Sequence, residues 1–128
     1  MITDIEVGLS DTERAVRDSA HRFAKEVMRP AGAELDRLHD PQDVIASGSI
    51  LWDVFRKYRE AGLADQEAAM ADLTPFEKAR LRAITSEEMG WGDSGLGISL
   101  GVSNFHKTFA MMSGRQALID RYVLSGKD

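Results

Sequence analysis

The motif closest to a cofactor-binding loop lies in residues 90–95, which read Gly90-Trp-Gly92-Asp-Ser-Gly95. This spacing fits G-x-G-x-x-G, in which glycines let backbone amides approach a pyrophosphate at the start of a helix. In a dinucleotide-binding fold that loop follows a strand. Here it follows residues 85–89, which end a predicted helix, so we interpret it as a turn between helices and assign it no cofactor.

Two adjacent carboxylates, Glu87 and Glu88, are the candidates for acid–base chemistry. Neighbouring side chains on a helix point about 100° apart, so these two cannot converge on one substrate atom. We therefore expect one of them to face solvent. Burial of either one would require a hydrogen-bonding partner on a neighbouring helix.

The histidines and serines show no arrangement that is typical of a catalytic or metal site. His21, His39 and His106 fall on separate predicted elements, without ligand spacing to carboxylates. His106 lies in an apolar segment, where we interpret it as a core histidine with satisfied hydrogen bonds. Ser94 has no base within a recognisable frame. The sequence therefore assigns no catalytic and no metal-ligating residue.

The composition is that of one ordinary globular domain. The 128 residues are 43% hydrophobic and 29% charged, which is enough for a single core. The net charge of −5 gives no overall field that attracts nucleic acid or an anionic membrane. Cysteine is absent, and neither a signal peptide nor an apolar run of ~20 residues is found. These features predict a cytoplasmic protein that binds neither nucleic acid nor membrane.

The first predicted helix begins one residue after Ser10, because Ser10 and Glu13 have the spacing of a capping box. Pro30 is predicted to interrupt it. Residues 31–38 then fit a resumed helix, and residues 39–41 fit a loop. The apolar stripe of this helix consists of residues at offsets of three and four: Val16, Ala20, Phe23, Ala24 and Val27.

Two further helices follow from local signals. One covers residues 50–58 and ends at Gly62, a plausible left-handed cap. The other begins after Thr74, which has capping-box spacing to Glu77, and extends to about Met89.

The pattern leaves two segments undecided. Residues 65–72 are alanine-rich and could form a short helix, but their few large apolar side chains would bury little surface, so the conformation of residues 64–74 stays open. Beyond a predicted helix break at Gly90–Gly92 and a cap at Asp93 or Ser94, the next segment fits both a strand and a helix. The strand interpretation rests on alternation at Leu96, Ile98, Leu100 and Val102. The helix interpretation rests on offsets of three and four at Ile98, Val102, Phe105 and Phe109.

Large apolar side chains are expected to fill the core wherever they occur. This expectation covers Trp52, Phe55, Trp91, Phe105, Phe109, Met111 and Met112.

Two stretches carry a family resemblance. The first contains Leu9-Ser-Asp-Thr-Glu-Arg-Ala-Val-Arg, then Phe23-Ala-Lys-Glu-Val, Pro30 and Glu34-Leu-Asp36-Arg. The second reads Ser86-Glu-Glu-Met-Gly-Trp-Gly-Asp-Ser-Gly-Leu-Gly, followed by Gly114-Arg-Gln116 and Arg121-Tyr122. With residues 52–63, which resemble a helix ending in a glycine–leucine pair, their order resembles the N-terminal helical domain of the acyl-CoA dehydrogenases.

The sequence departs from that family at two points. The family follows the glycine–leucine pair with a loop containing proline and two glycines, whereas Leu63 here leads into Ala64-Asp-Gln-Glu. Gln116 also lies closer to Gly114 than the family spacing. The substrate and the register of the last helix therefore do not follow from the resemblance.

The resemblance implies an all-α fold, with residues 1–128 as one helical domain, residues 96–113 as helix, and the family's β-domain beginning near residue 128. The implied protein is an FAD-dependent oxidoreductase of fatty acid β-oxidation. In that family FAD and the catalytic glutamate belong to the other domains, so no catalytic or cofactor-binding residue is expected here.

The same resemblance implies a substrate-binding role for one helical face. This face contains Ile98, Gly101, Val102 and Phe105, which would line the pocket for the acyl tail of an acyl-CoA. The expected partners are the acyl-CoA substrate, the flavin domain and further subunits or proteins. The alternative interpretation is a stand-alone helical module that binds a protein partner through its apolar faces and has no catalytic activity.

Overall fold

The computed structural model describes residues 7–125, with the side chains of residues 67 and 68 left aside. Every regular element within these residues is helical, which confirms the all-α prediction. The helices are α1 (Asp11–Phe23), α2 (Arg29–Leu35), α3 (Pro41–Val44), α4 (Ile50–Glu60), α5 (Gln66–Ala69), α6 (Pro75–Gly92), α7 (Ser94–Val102), α8 (Phe105–Met112) and α9 (Gln116–Ile119).

Helix α1 begins where the capping box predicts. The Ser10 hydroxyl accepts from the Glu13 amide at 3.2 Å, and the Glu13 carboxylate accepts from the Ser10 amide at 2.8 Å. The backbone amides of Ser10 and Glu13 each have an acceptor in the other residue, three positions away. The helix start is therefore encoded locally.

The predicted break at Pro30 is wrong, because the chain stays helical through this residue. A π-helical turn, Ala24–Met28, joins α1 to α2, and the bounding residues Phe23 and Arg29 have right-handed helical dihedrals. Proline lacks an amide hydrogen, and its ring clashes with the carbonyl four residues earlier. The wider π-turn before Pro30 accommodates this, so one long helical path extends from α1 through α2.

Helix α4 confirms the second predicted helix, and Gly62 has the left-handed φ of 73° that its cap requires. The undecided segment after it forms a short 3₁₀ turn (Leu63–Asp65) and α5. The ring of Tyr58 on α4 lies 5.6 Å from that of Phe23 on α1, so the apolar stripes of these two helices meet.

Helix α6 starts at the predicted capping box of Thr74 and Glu77 but ends later than expected. It continues through Trp91 to Gly92, so the predicted break at residues 90–92 is wrong. The Asp93 backbone is extended and ends the helix. Its carboxylate accepts from the Leu96 amide at 2.8 Å and caps α7, as predicted.

The undecided segment at residues 96–102 is helical, within α7. The resemblance implied one helix over residues 96–113, but a turn at residues 103–104 separates α7 from α8. The Ser103 hydroxyl donates to the Leu100 carbonyl at 2.6 Å, which gives the chain a local bond in this turn.

The chain divides into two compact units, with the boundary after Gly97. In unit 1, which includes α1 to α6, the core lies between the α1–α2 path and α6. Close approach is possible because Gly92 has no side chain: a Cβ there would lie 2.9 Å from Cβ of Ala24. The buried apolar residues of unit 1 are Leu9, Ala20, Phe23, Ala24, Met28, Ala31, Val54, Leu63, Met70, Leu81, Ile84, Met89 and Leu96.

Unit 2 begins at Ile98 and contains α8, α9 and a second π-helical turn, Asp120–Leu124. Helix α8 packs against both α9 and this turn.

Many large apolar side chains in the chain are exposed, contrary to the expectation that they fill the core. Of those expected in the core, the exposed ones are Trp52, Trp91, Phe105, Phe109, Met111 and Met112.

Candidate functional site

The four residues predicted to contact an acyl tail lie in unit 2. Ile98, Gly101 and Val102 belong to α7, and Phe105 begins α8. The side chains of Ile98, Val102 and Phe105 are 68%, 43% and 51% exposed. Each of the three side chains is therefore accessible, and we call these four positions on the two helices the α7–α8 face.

Gly101 occupies an open position on the α7–α8 face. Within its own unit, a Cβ built on Gly101 meets no atom within 4 Å. Close packing between the helices of unit 2 therefore does not account for glycine at this position. A larger side chain has room here, and the space is available to whatever covers the face.

The exposed apolar surface continues along α8. The rings of Phe105 and Phe109, one turn apart, lie 5.9 Å from each other at 81°. Met111 and Met112 are 57% and 76% exposed. Large exposed apolar surfaces are uncommon on isolated soluble proteins and mark sites that bind a ligand or a partner.

A cavity of about 230 Å³ lies within unit 2, where α8 faces α9 and the π-helical turn Asp120–Leu124. The rings of His106 and Tyr122 lie 6.5 Å apart at 73° beside it. His106 is exposed, so its interpretation as a core histidine is wrong. The cavity is largely apolar and is lined by His106, Phe109, Ala110, Leu118 and Tyr122.

A second candidate site lies in unit 1, where polar and charged side chains of α1 contact those of α6. Nδ1 of His21 lies 2.7 Å from Oε2 of Glu88. The Glu88 side chain is 5% exposed, whereas that of His21 is 44% exposed. Glu88 is thus buried and bonded to a neighbouring helix, which is one of the alternatives for these two glutamates, and Glu87 is half-buried.

Trp91 completes the arrangement around His21. The imidazole and the indole are stacked, with centroids 5.1 Å apart and planes 19° from parallel. The Arg29 guanidinium lies 4.7 Å from the indole centroid and donates to the Trp91 carbonyl at 3.1 Å. The last turn of α6 is thus held by two residues of the α1–α2 path.

These side chains surround a cavity of about 240 Å³, which we call the α1–α6 cavity. It is lined by His21, Glu87, Glu88 and Trp91. Its walls are mostly apolar, with one buried carboxylate among them. Such a combination of apolar walls and a few placed polar groups is typical of small-molecule sites.

Another ion pair lies eight positions earlier on both helices. The Arg80 guanidinium donates to Oε1 of Glu13 at 2.6 Å and to Oε2 at 2.7 Å, and the Glu13 side chain is fully buried. Burial raises the pKa of Glu13, but hydrogen bonds from Arg80 and Ser10 and the Arg80 charge together bring it below its ordinary value of 4.5. Glu13 therefore stays ionised, and the pair has a structural role.

Sequence reasoning missed the role of His21, which lies 67 positions from its partner. The sequence does contain a signal for this contact. Glu13 and His21 are separated by the same number of positions as Arg80 and Glu88, and the acid and the base occur in the reverse order. The loop-like motif at residues 90–95 is not a turn along its whole length: residues 90–92 end α6, residues 94 and 95 begin α7, and Asp93 alone connects the two helices.

Within residues 7–125, no three histidine or acidic side chains are grouped closely enough to hold a metal ion. No helix in the same residues has the length and apolar character needed to cross a bilayer. Comparisons with protein-family models, with curated proteins and with solved structures find no match to this chain.

Proposed function

We propose that this chain is the N-terminal helical lobe of an acyl-CoA dehydrogenase-like, FAD-dependent oxidoreductase of cytoplasmic fatty acid β-oxidation. Two observations support the proposal. The motifs around residues 9–37 and 86–122 resemble that family in type and order. The chain is also helical throughout its regular elements between residues 7 and 125, as that lobe is expected to be.

The observation that carries the proposal is the open position of Gly101 on the exposed α7–α8 face. An acyl tail is a flexible apolar chain, so its binding surface must offer apolar area and an unfilled gap. Ile98 and Val102 supply the area, and Gly101 leaves the gap. Covering such a surface is favourable by about 25 cal/mol for each Å² removed from water.

In this proposal the chain contributes enclosure and specificity. FAD and a carboxylate, both held by the other lobes, would supply the acceptor for the hydride of the substrate β-carbon and the base for its α-proton. Ile98, Val102 and Phe105 would exclude water from the acyl tail and align it, since a tail fixed on one side restricts the thioester end as well.

A different function, a helical module that binds a protein partner, is favoured by one specific observation. Met111 and Met112 are both strongly exposed on α8. Methionine side chains are flexible and polarisable, and surfaces rich in them adapt to varied protein partners. This function requires neither flavin nor acyl-CoA, so the two proposals differ in a measurable way.

Co-purification distinguishes the two functions. The gene is sequenced beyond codon 128 and the adjacent reading frames are expressed together with tagged residues 1–128. We expect a downstream flavin-binding region to co-purify as a yellow complex with one FAD per chain. Residues 1–128 expressed alone serve as the colourless control. A stable partner without flavin absorbance would favour the interaction module.

A matched pair of substitutions locates the contact. Phe105→Asp places a charge on the α7–α8 face and should abolish co-purification with the flavin-binding region. Phe76 on α6 is 71% exposed and supplies the control, Phe76→Asp, which should leave the yellow complex intact. Equal effects of the two substitutions would contradict a role for the α7–α8 face.

A further inference from the structure

The methionines between residues 7 and 125 differ sharply in exposure. Met28, Met70 and Met89 are buried, and the most accessible of them is 8% exposed. Met111 and Met112, by contrast, are 57% and 76% exposed. A thioether is oxidised only where the oxidant reaches its sulfur. The fold therefore separates two accessible thioethers from three protected ones.

The two accessible methionines lie in the last turn of α8, on a surface that also carries two aromatic rings. Met112 lies three positions after Phe109 and seven after Phe105, so these three side chains share one face of the helix. The rings of Phe105 and Phe109 are 51% and 63% exposed. Met111 is adjacent in sequence and extends the exposed area. We call Phe105, Phe109, Met111 and Met112 the α8 surface.

The end of α8 is held by groups other than the two thioethers. The Ser113 hydroxyl donates to the Ala110 carbonyl at 2.7 Å and accepts from the Arg115 amide at 3.1 Å. Gly114 has a left-handed φ of 64°, which is typical of the residue after a helix end. A chemical change at the two methionines therefore alters the surface and leaves the end of the helix in place.

We propose that Met111 and Met112 form a modification site for hydroperoxides, and that their conversion to sulfoxides makes the apolar α8 surface polar. In each reaction the sulfur lone pair attacks the terminal oxygen of the hydroperoxide. The S–O bond forms as the O–O bond breaks, and the proton of the transferred oxygen moves to the departing one. The sulfur loses two electrons, and the hydroperoxide is reduced to an alcohol, or to water if it is hydrogen peroxide.

Oxidation changes what the α8 surface can bind. A thioether is apolar and flexible, whereas a sulfoxide carries a polar oxygen that accepts hydrogen bonds from water. Covering this oxygen with an apolar partner removes the water and supplies no donor, which is unfavourable. Sulfoxides at these positions therefore weaken the binding of an apolar partner, and their reduction restores it. This inference concerns unit 2 alone and does not rest on the proposed enzymatic function.

Tryptic peptide mapping tests the selectivity of the reaction. Cleavage after Lys107 and Arg115 releases residues 108–115, and every other methionine falls on a different peptide. With tert-butyl hydroperoxide, residues 108–115 should gain two oxygens about tenfold or more faster than any peptide with a buried methionine gains one. In the control reaction, chain unfolded in urea should show similar rates at all these methionines. Similar rates in the folded chain would overturn the proposal.

The fluorescence of anilinonaphthalene sulfonate, a dye that binds exposed apolar surface, tests the consequence. Oxidation of residues 1–128 should lower the dye fluorescence about twofold or more, with unchanged helix content by circular dichroism. Methionine sulfoxide reductases for both sulfoxide epimers should restore the signal. Unchanged fluorescence after oxidation, or a loss of helix, would contradict the proposal.

A double substitution provides the matched control. Met111→Leu with Met112→Leu keeps the α8 surface apolar and removes both sulfur atoms, and these exposed positions should accept leucine without a change in fold. The dye signal of this variant should survive the peroxide treatment. If the variant lost as much fluorescence as the parent chain, the effect would arise elsewhere and the proposed site would be refuted.

Discussion

The carboxylate of Glu13 on α1 is fully buried and accepts hydrogen bonds through both oxygens from Arg80 on α6, 67 positions later. His21 and Glu88 form a second pair across the same two helices, with the acid and the base exchanged. An antiparallel alignment would place the Glu13 and Glu88 carboxylates opposite each other and would leave both Arg80 and His21 without a carboxylate partner. The charge pattern therefore favours α1 and α6 running in the same direction.

Arg80→Met should lower the free energy of unfolding by about 3 kcal/mol, because it leaves the Glu13 carboxylate buried without its partner. Urea denaturation followed by circular dichroism measures the change. Arg14→Met is the control: Arg14 pairs with Asp11 on the exposed surface, and its loss should cost at most about 1 kcal/mol. A loss for Arg80→Met as small as that of the control would show that the buried pair adds no stability.

The pH dependence of stability should carry the signature of Glu13. The folded-state pKa of Glu13 lies below its ordinary value of 4.5. The unfolded chain therefore takes up the proton first as the pH falls, and the stability that ionised Glu13 provides is lost progressively as the pH falls from about 4.5 through the lower folded-state pKa. Glu13→Gln cannot titrate, so its unfolding free energy should change less over this range than that of the parent. Parallel pH profiles would contradict this.

The helix starts were predictable because their signals are local. Ser10 with Glu13, and Thr74 with Glu77, satisfy the first amides of α1 and α6 within three positions, whatever the rest of the chain does. The left-handed cap at Gly62 is equally local. The passage of the helical path through Pro30 was not predictable, since it depends on the π-turn before that residue and on the helices packed around it.

The candidate sites depended on contacts that sequence spacing does not encode. The sequence allows Glu88 to be buried, but it does not identify His21 as its partner, because this contact arises only when α1 packs on α6. Trp91 was expected in the core and instead lies at the α6 end between His21 and Arg29. Ile98 and Phe105 are accessible because of the way unit 2 folds. The spacing of these residues in the sequence predicts only that they share a helical face.

Gly92 and Gly90, two positions apart on α6, should respond oppositely to substitution by alanine. A Cβ at Gly92 would lie 2.9 Å from Cβ and 3.0 Å from Cα of Ala24, so Gly92→Ala should cost about 1–3 kcal/mol. A Cβ at Gly90 meets no described atom within 4 Å, so Gly90→Ala should stabilise α6 by up to about 1 kcal/mol. Thermal unfolding of both variants compares them, and equal effects would refute close packing at Gly92.

Gly101→Leu should leave the fold intact and, if the proposed function is right, change the acyl-chain preference of the flavin complex. The position is open within unit 2, and replacing a helix-interior glycine should add up to about 1 kcal/mol of stability. In the co-purified flavin complex, the ratio kcat/KM for long acyl-CoAs over short ones should fall about tenfold. A stability loss of about 1–3 kcal/mol with unchanged chain-length preference would instead assign Gly101 to helix packing.

The most direct test of the proposed lobe function is acyl-CoA-dependent dye reduction by a flavin-binding region that co-purifies with residues 1–128, assayed with and without residues 1–128. We expect octanoyl-CoA to reduce the dye only when residues 1–128 are present, and Phe105→Asp to lower the rate while Phe76→Asp does not. Equal dye reduction with and without residues 1–128 would contradict the claim that this chain encloses the substrate of an acyl-CoA dehydrogenase-like enzyme.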